Sequence, residues 1–154
     1  MISHLEIKIV AYTEAIESIK NIRYQVFQIE QAVAAELEFD GLDESAIHLL
    51  AYFDNKPIGT ARIRQIDPET AKIERLAVLS DVRGLGIGTT LMETALELIS
   101  RNKNTQKVVV NAQVYIKSLY KNLGFQAVGT PFDEAGIQHI KMIKNLKSHA
   151  LNEG

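Results

Sequence analysis

A mixed α/β sheet within one domain is the fold class that the sequence predicts, and three observations predict it. Stretches that alternate apolar with polar residues, as half-buried strands do, take turns with stretches whose apolar residues recur every three to four, as helices require. The length, 154 residues, matches the roughly 100–200 residues of one compact domain. No linker, repeat or low-complexity segment divides it. The predicted order is β-α-α-β-β-β-α-β-α-β-β, with a domain over 1–147 and a flexible tail over 148–154.

Leu5, Ile7 and Ile9 alternate with Glu6 and Lys8, which reads as a first strand. Thr13 is placed to cap a helix carrying Ile16, Ile19, Ile22, Val26 and Phe27 on one face. A shorter helical patch covers 31–38, and 39–46 is an acidic, turn-rich loop. Asp54-Asn55-Lys56-Pro57 joins strands over 47–53 and 58–65 as a hairpin. A turn at Asp67-Pro68-Glu69-Thr70 leads into a strand over 71–78. Ile87, Leu91, Met92, Ala95, Leu96 and Ile99 share one face of the clearest helix. Val108-Val109-Val110 shows no alternation, which suits a strand covered on both sides. A short helix over 115–122 ends near Gly124, and strands over 126–130 and 138–144 flank a turn at 133–136.

Composition narrows the function classes. Nineteen acids against 17 bases leave a net charge of −2, too balanced for a non-specific nucleic-acid binder. The absence of cysteine excludes disulfides, thiolate metal sites and a cysteine nucleophile. No apolar run approaches the ~18 residues of a membrane span, and no basic-then-apolar leader is visible. A soluble cytoplasmic protein is the expectation. No spacing of the H-x-x-x-H kind suggests a metal.

The most informative stretch is Leu76-Ala77-Val78-Leu79-Ser80-Asp81-Val82-Arg83-Gly84-Leu85-Gly86-Ile87-Gly88. A strand runs into alternating glycines and then straight into a helix. Glycines let backbone N–H groups turn inward around an anion, and a helix N-terminus adds unpaired donors and partial positive charge. Arg83 adds a full cation. The loop therefore suits a phosphate or diphosphate, although a plain tight turn needs the same glycines. A Walker loop would require lysine before Thr89, and a dinucleotide fingerprint would require G-x-G-x-x-G instead of G-x-G-x-G.

Arg83-x-x-Gly86-x-Gly88 after Leu76-Ala77-Val78 resembles the acetyl-CoA-binding motif of the GCN5-related N-acetyltransferase (GNAT) superfamily. Leu119-Tyr120-Lys121-Asn122-Leu123-Gly124-Phe125 is similar to the second signature of that family, and the order of elements also matches. Arg23-x-x-Val26-Phe27-x-x-Glu30-Gln31, Glu38-x-Asp40-Gly41-x-Asp43 with His48, Asn111-Ala112-Gln113 and Ala135-Gly136-Ile137-x-His139-x-x-Met142 resemble its ElaA-like and YjcF-like branch. Where many members carry Asn and Ala, this chain has Gln113 and Ile116. The resemblance implies that Arg83, Gly84, Leu85, Gly86, Ile87 and Gly88 grip the CoA diphosphate. It further implies that Leu76, Ala77 and Val78 pair with the pantetheine arm, that Asn111 assists, and that the Val78 N–H stabilises the oxyanion.

Acyl transfer to an amine requires a base for an ammonium of pKa ~10, donors for an oxyanion, and a proton or hydrogen bond for the departing sulfur. Tyr120 is the candidate acid, placed beside the sulfur by resemblance; a core tyrosine is the structural alternative. Glu74, His139 and His48 are the candidate bases. Glu74 lies on the strand leading to the loop, where it can instead pair with Arg62 or Arg75; the family's usual carboxylate position falls nearer Lys72. Both histidines titrate near ~6.5, which suits proton transfer at neutral pH.

Seven acids and no Lys or Arg lie between Tyr24 and Asn55, whereas 101–147 holds eight bases and two acids. Glu30, Glu36, Glu38, Asp40 and Asp43 can draw a cationic amine or simply form a solvated face. The basic half suits the 3′-phosphate end of CoA, or plain surface. The resulting expectation is an acetyl-CoA-dependent N-acetyltransferase acting on a small or peptidyl primary amine through a ternary complex. It needs no metal, nucleic acid or membrane, and a homodimer stays open. The alternatives are a catalytically inactive CoA-binding regulatory module and an enzyme of another phosphate-bearing ligand. Gly86→Asp is expected to block the loop by crowding and repulsion.

Overall fold

Seven strands form one sheet in the order β1-β2-β3-β4-β5-β7-β6, in a computed structural model that describes residues 4–146. The boundary expected at 147, the tail 148–154 and His149 lie outside the described residues. The strands are β1 Leu5–Val10, β2 Ile47–Phe53, β3 Lys56–Asp67, β4 Thr70–Val78, β5 Lys107–Gln113, β6 Gln126–Glu134 and β7 Ile137–Asn145. Neighbours are antiparallel except β4 and β5. The helices are α1 Ile16–Arg23, α2 Ala35–Glu38, α3 Ile87–Ser100 and α4 Lys117–Asn122. The order of elements is the one the sequence predicts. Among the described residues, no helix is long and apolar enough to cross a membrane.

Each sheet face takes its own helix. Leu91, Met92 and Ala95 of α3 are fully buried against Leu49, Ala61 and Val108, whereas Ile19 and Ile22 of α1 pack with Tyr12 and Leu50 on the other face. Asp54 and Asn55 take positive φ of 51° and 67°, the two-residue turn that matches the twist of a hairpin. Thr13 does not cap α1. It lies in a 3-10 turn, Tyr12–Glu14, ahead of the helix start, and Glu14 is the residue that accepts the Ala11 N–H, at 2.8 Å. Past Arg23 the chain widens into a π-helix over Tyr24–Glu30, a break that the continuous apolar spacing does not disclose.

Two departures from regular sheet shape the site. The parallel pairing of β4 with β5 covers only Thr70, Lys72 and the residue between them, after which the strands part. Beyond that point β5 continues to pair with β7 as far as Gln113 opposite His139. Within β4, the register against β3 shifts between Arg62 and Thr60, and Arg75 takes φ 55°. Such a bulge re-aims the strand at a cost of about 1–3 kcal/mol in strain.

Candidate active site

A cleft of about 640 Å³ opens where β4 and β5 part. One end is the strand-to-helix turn. Gly84 and Gly86 take φ of 83° and 82°, conformations that a Cβ disfavours. The first helical bond here runs from Thr90 N–H to Gly86 carbonyl at 3.0 Å. Among the described residues, the N–H groups of residues 84–89 donate to no protein acceptor. They form a row of bare donors at a helix N-terminus. A Cβ at Gly84 or Gly86 would meet nothing within 4 Å, so crowding within the fold is not what a side chain at 86 would bring.

The N–H of Leu79 donates to the Ile58 carbonyl at 2.9 Å. Alternation along the antiparallel ladder therefore turns the N–H and C=O of Val78 to the open edge. Arg83 occupies that carbonyl, with Nε at 3.0 Å and Nη2 at 2.8 Å, and its guanidinium also pairs with Glu30 at the end of the π-helix. Arg83 is thus already engaged instead of standing free beside the turn.

Tyr120 lines the middle of the cleft and is buried. Its position follows from the end of α4. Phe125 N–H donates to Tyr120 carbonyl and Gly124 N–H to Lys121 carbonyl, both at 3.0 Å, with Gly124 at φ 95°. That is a Schellman stop, and its apolar contact is Tyr120 edge-on to Phe125 at 6.0 Å. Burial pushes the Tyr120 phenol up to about 12.

The three candidate bases have different fates. His139 lines the cleft, and its Nδ1 donates to the Ile137 carbonyl at 2.7 Å, which leaves Nε2 of the neutral ring as an acceptor. Glu134 stands 3.8 Å from that Nε2 and accepts from Asn111 Nδ2 at 3.4 Å. His48 is not brought to the cleft. It is fully buried beneath Tyr12, with Nε2 on the Asp43 carbonyl at 2.8 Å, and burial lowers its pKa. Glu74 borders the cleft but is held by Arg62 Nε at 2.7 Å, Arg64 Nε at 2.5 Å and Lys72 Nζ at 3.4 Å. Its partners are Arg62, Arg64 and Lys72, and Arg75 is not among them. Burial alone would raise its pKa, but the Arg64 hydrogen bond and the charges of Arg62 and Lys72 outweigh it. A carboxylate held below its ordinary value is a weak proton acceptor.

The acidic stretch is not free to draw a cation either. Glu38 and Asp43 share the buried Arg23. Asp40 and Asp43 accept from Arg62 at 2.7 and 2.9 Å, and Asp40 also from Arg75 at 3.2 Å. Of the five acids expected to attract an amine, only Glu36 has no ion pair among the described residues. Sequence reasoning missed the arginines that neutralise the others. Gln31, named in the sequence only as part of a branch motif, exchanges side-chain hydrogen bonds with Gln113 at 3.0 and 3.4 Å across the cleft. Arg64 and Lys72 stand opposite each other because the register set by the 67–70 turn shifts between Gln65 and Asp67, a bulge that the sequence pattern does not disclose.

A parallel strand pair that parts beside a turn of bare N–H groups is the arrangement that the GNAT resemblance implies, and the comparisons agree. The family model described as "Acetyltransferase (GNAT) domain" matches residues 10–146, and the chain belongs to that family. The uncharacterized N-acetyltransferase YjcF of Bacillus subtilis is 35% identical over 80% of this chain and 88% of its own length. The crystal structure of Escherichia coli ElaA superposes with TM-score 0.81 at 26% identity, covering 90% of this chain and 99% of that one. A GNAT family acetyltransferase from Elizabethkingia anophelis, solved with acetyl-CoA bound, shares the fold with TM-score 0.71 at 23% identity over 94% and 99% of the two chains. The chain is an acetyltransferase, and acyl transfer from acetyl-CoA is its class of chemistry.

Proposed function

We propose that the protein acetylates a primary amine by direct attack within a ternary complex. The observation that carries this reading is the row of undonated N–H groups over residues 84–89 at the head of an open strand edge. That row, with Gly86 and Gly88, suits a diphosphate, and the edge of β4 from Leu76 to Val78 suits the amides of a pantetheine arm. When bound, acetyl-CoA supplies a thioester carbonyl at which an amine displaces the thiol. His139 Nε2 takes the proton that the attacking nitrogen sheds. Val78 N–H, turned to the open edge, donates to the developing oxyanion. Asn111, whose side chain donates to Glu134, lines the same cleft.

The Tyr120 hydroxyl donates to the departing sulfur. A phenol near 12 lies well above a thiol at ~8.5, so Tyr120 keeps its proton and stabilises a thiolate by hydrogen bonding. Tyr120 then acts as a hydrogen-bond donor to the thiolate, in place of the proton-giving acid expected from the sequence.

The test is acetyl-CoA turnover by Tyr120→Phe against an amine panel, with melting temperature as the binding readout. Acetyl-CoA raises the melting temperature of both proteins, ATP and NAD do not, and the variant loses about 10²-fold or more in kcat. Stabilisation by acetyl-CoA without thiol release from any amine would leave a binding module in place of an enzyme.

A further inference from the structure

The acceptor end of the cleft is electrostatically the reverse of what the acidic stretch suggests. Five cations, Arg23, Arg62, Arg64, Lys72 and Arg75, meet four carboxylates, Glu38, Asp40, Asp43 and Glu74. Every carboxylate is shared by at least two cations, and one positive charge is left over. The surplus is not buried. Arg23 and Arg62 lie beneath, whereas Arg64, Lys72 and Arg75 line the cleft with side chains 20–23% exposed. Arg64 spends Nε and Nη2 on Glu74, and among the described residues its Nη1 donates no hydrogen bond. Lys72 approaches Glu74 only to 3.4 Å.

This charge is not the diphosphate's partner. Lys72 precedes Val78 by six residues, which is about 20 Å of strand, so Lys72 with its partner Arg64 and the bare N–H row sit at opposite ends of β4. Directly opposed in register, Arg64 and Lys72 reach from the same sheet face, the face that the loop with Asp40 covers.

We propose that the amine acceptor carries a carboxylate, received by Arg64 and Lys72 at the end of the cleft remote from the glycine turn, so that the substrates are amino acids. The proposal rests on the N-acetyltransferase reading above. A single surplus charge matches a monoanion, whereas a phosphate dianion would leave the site negative. At this end of the cleft a purely cationic amine would meet Glu38, Asp40 and Glu74, each already shared by two or more cations.

The experiment compares the twenty amino acids with their carboxamides and decarboxylated amines, using the full chain. Thiol release reads turnover, and the melting temperature with CoA present reads acceptor binding. At least one acid should exceed its amide and its decarboxylated amine tenfold or more in kcat/KM. Lys72→Gln, and separately Arg64→Lys, should raise its KM at least tenfold while the thermal shift with acetyl-CoA persists, which also reports that the variant is folded. Amides or plain amines that react as well as the acids would overturn the proposal, and so would twenty acids that neither bind nor react. If acids bind but no amine of any kind releases thiol, the carboxylate site stands and the acetyltransfer reading falls.

Discussion

A Cβ at position 88 would touch only Val78 Cγ2, at 4.0 Å, an ordinary contact. The free fold therefore has no need of glycine there, in contrast to the positive φ at Gly84 and Gly86. Gly88→Ala should hold stability or raise it by up to about 1 kcal/mol, as alanine does in a helix. It should weaken acetyl-CoA binding at least tenfold if a diphosphate lies against that backbone, as titration calorimetry would read. Unchanged affinity would return the glycine to a mere turn. Tyr120 gives a second test at this scale. With its proton retained to about 12, the rate should rise with pH as the amine sheds its proton, and show no fall below about pH 10. An alkaline limb near pH 9 that vanishes in Tyr120→Phe would contradict a phenol that high.

The π-helix is where element and site meet, because it ends on Glu30, whose carboxylate clasps Arg83. Both side chains are about 40% exposed, so the pair contributes little to stability. It does keep the Arg83 guanidinium from an incoming anion. Glu30→Gln should therefore tighten acetyl-CoA binding severalfold and steepen its salt dependence, and weaker binding would show that Glu30 positions Arg83 usefully. Helix α3 was legible because its apolar residues repeat on one face, and Val108-Val109-Val110 because both faces are buried. The π-helix was not, since Val26 and Phe27 fit either winding. Nor was the parting of β4 from β5, because where a parallel pairing stops depends on partners distant in sequence. The glycine turn could be read because its signal is local: Gly84, Gly86 and Gly88 sit within one turn and a half of chain.

Across the whole molecule, the ion cluster under the acceptor end joins α1, the loop with Asp40 and Asp43, and strands β3 and β4. Removing the buried Arg62 would strand Asp43 and Glu74, which are themselves buried. Arg62→Met should cost about 3–5 kcal/mol in chemical denaturation, and a loss under 1 would show that the cluster is solvated. Its members Asp40, Asp43 and Glu74 have lowered pKa values, so the stability they add is present above about pH 4 and lost as pH falls further. His48 acts earlier. Buried and lowered, it stays neutral in the fold while the unfolded chain takes up a proton, so stability should begin to fall below about pH 6.5. His48→Asn should remove that first decline. Histidine and glutamate are candidate bases in any sequence. Only the tertiary neighbours, Tyr12 and Asp43 for one and Arg62 and Arg64 for the other, reveal that these two serve the scaffold.

The central claim is that the bare N–H groups of residues 84–89 receive the diphosphate of acetyl-CoA. Backbone amide NMR of the full chain during an acetyl-CoA titration addresses it directly. Saturable shifts and slowed hydrogen exchange concentrated at residues 84–89 are the predicted result. Tight binding that leaves those amides unmoved while others respond would contradict it.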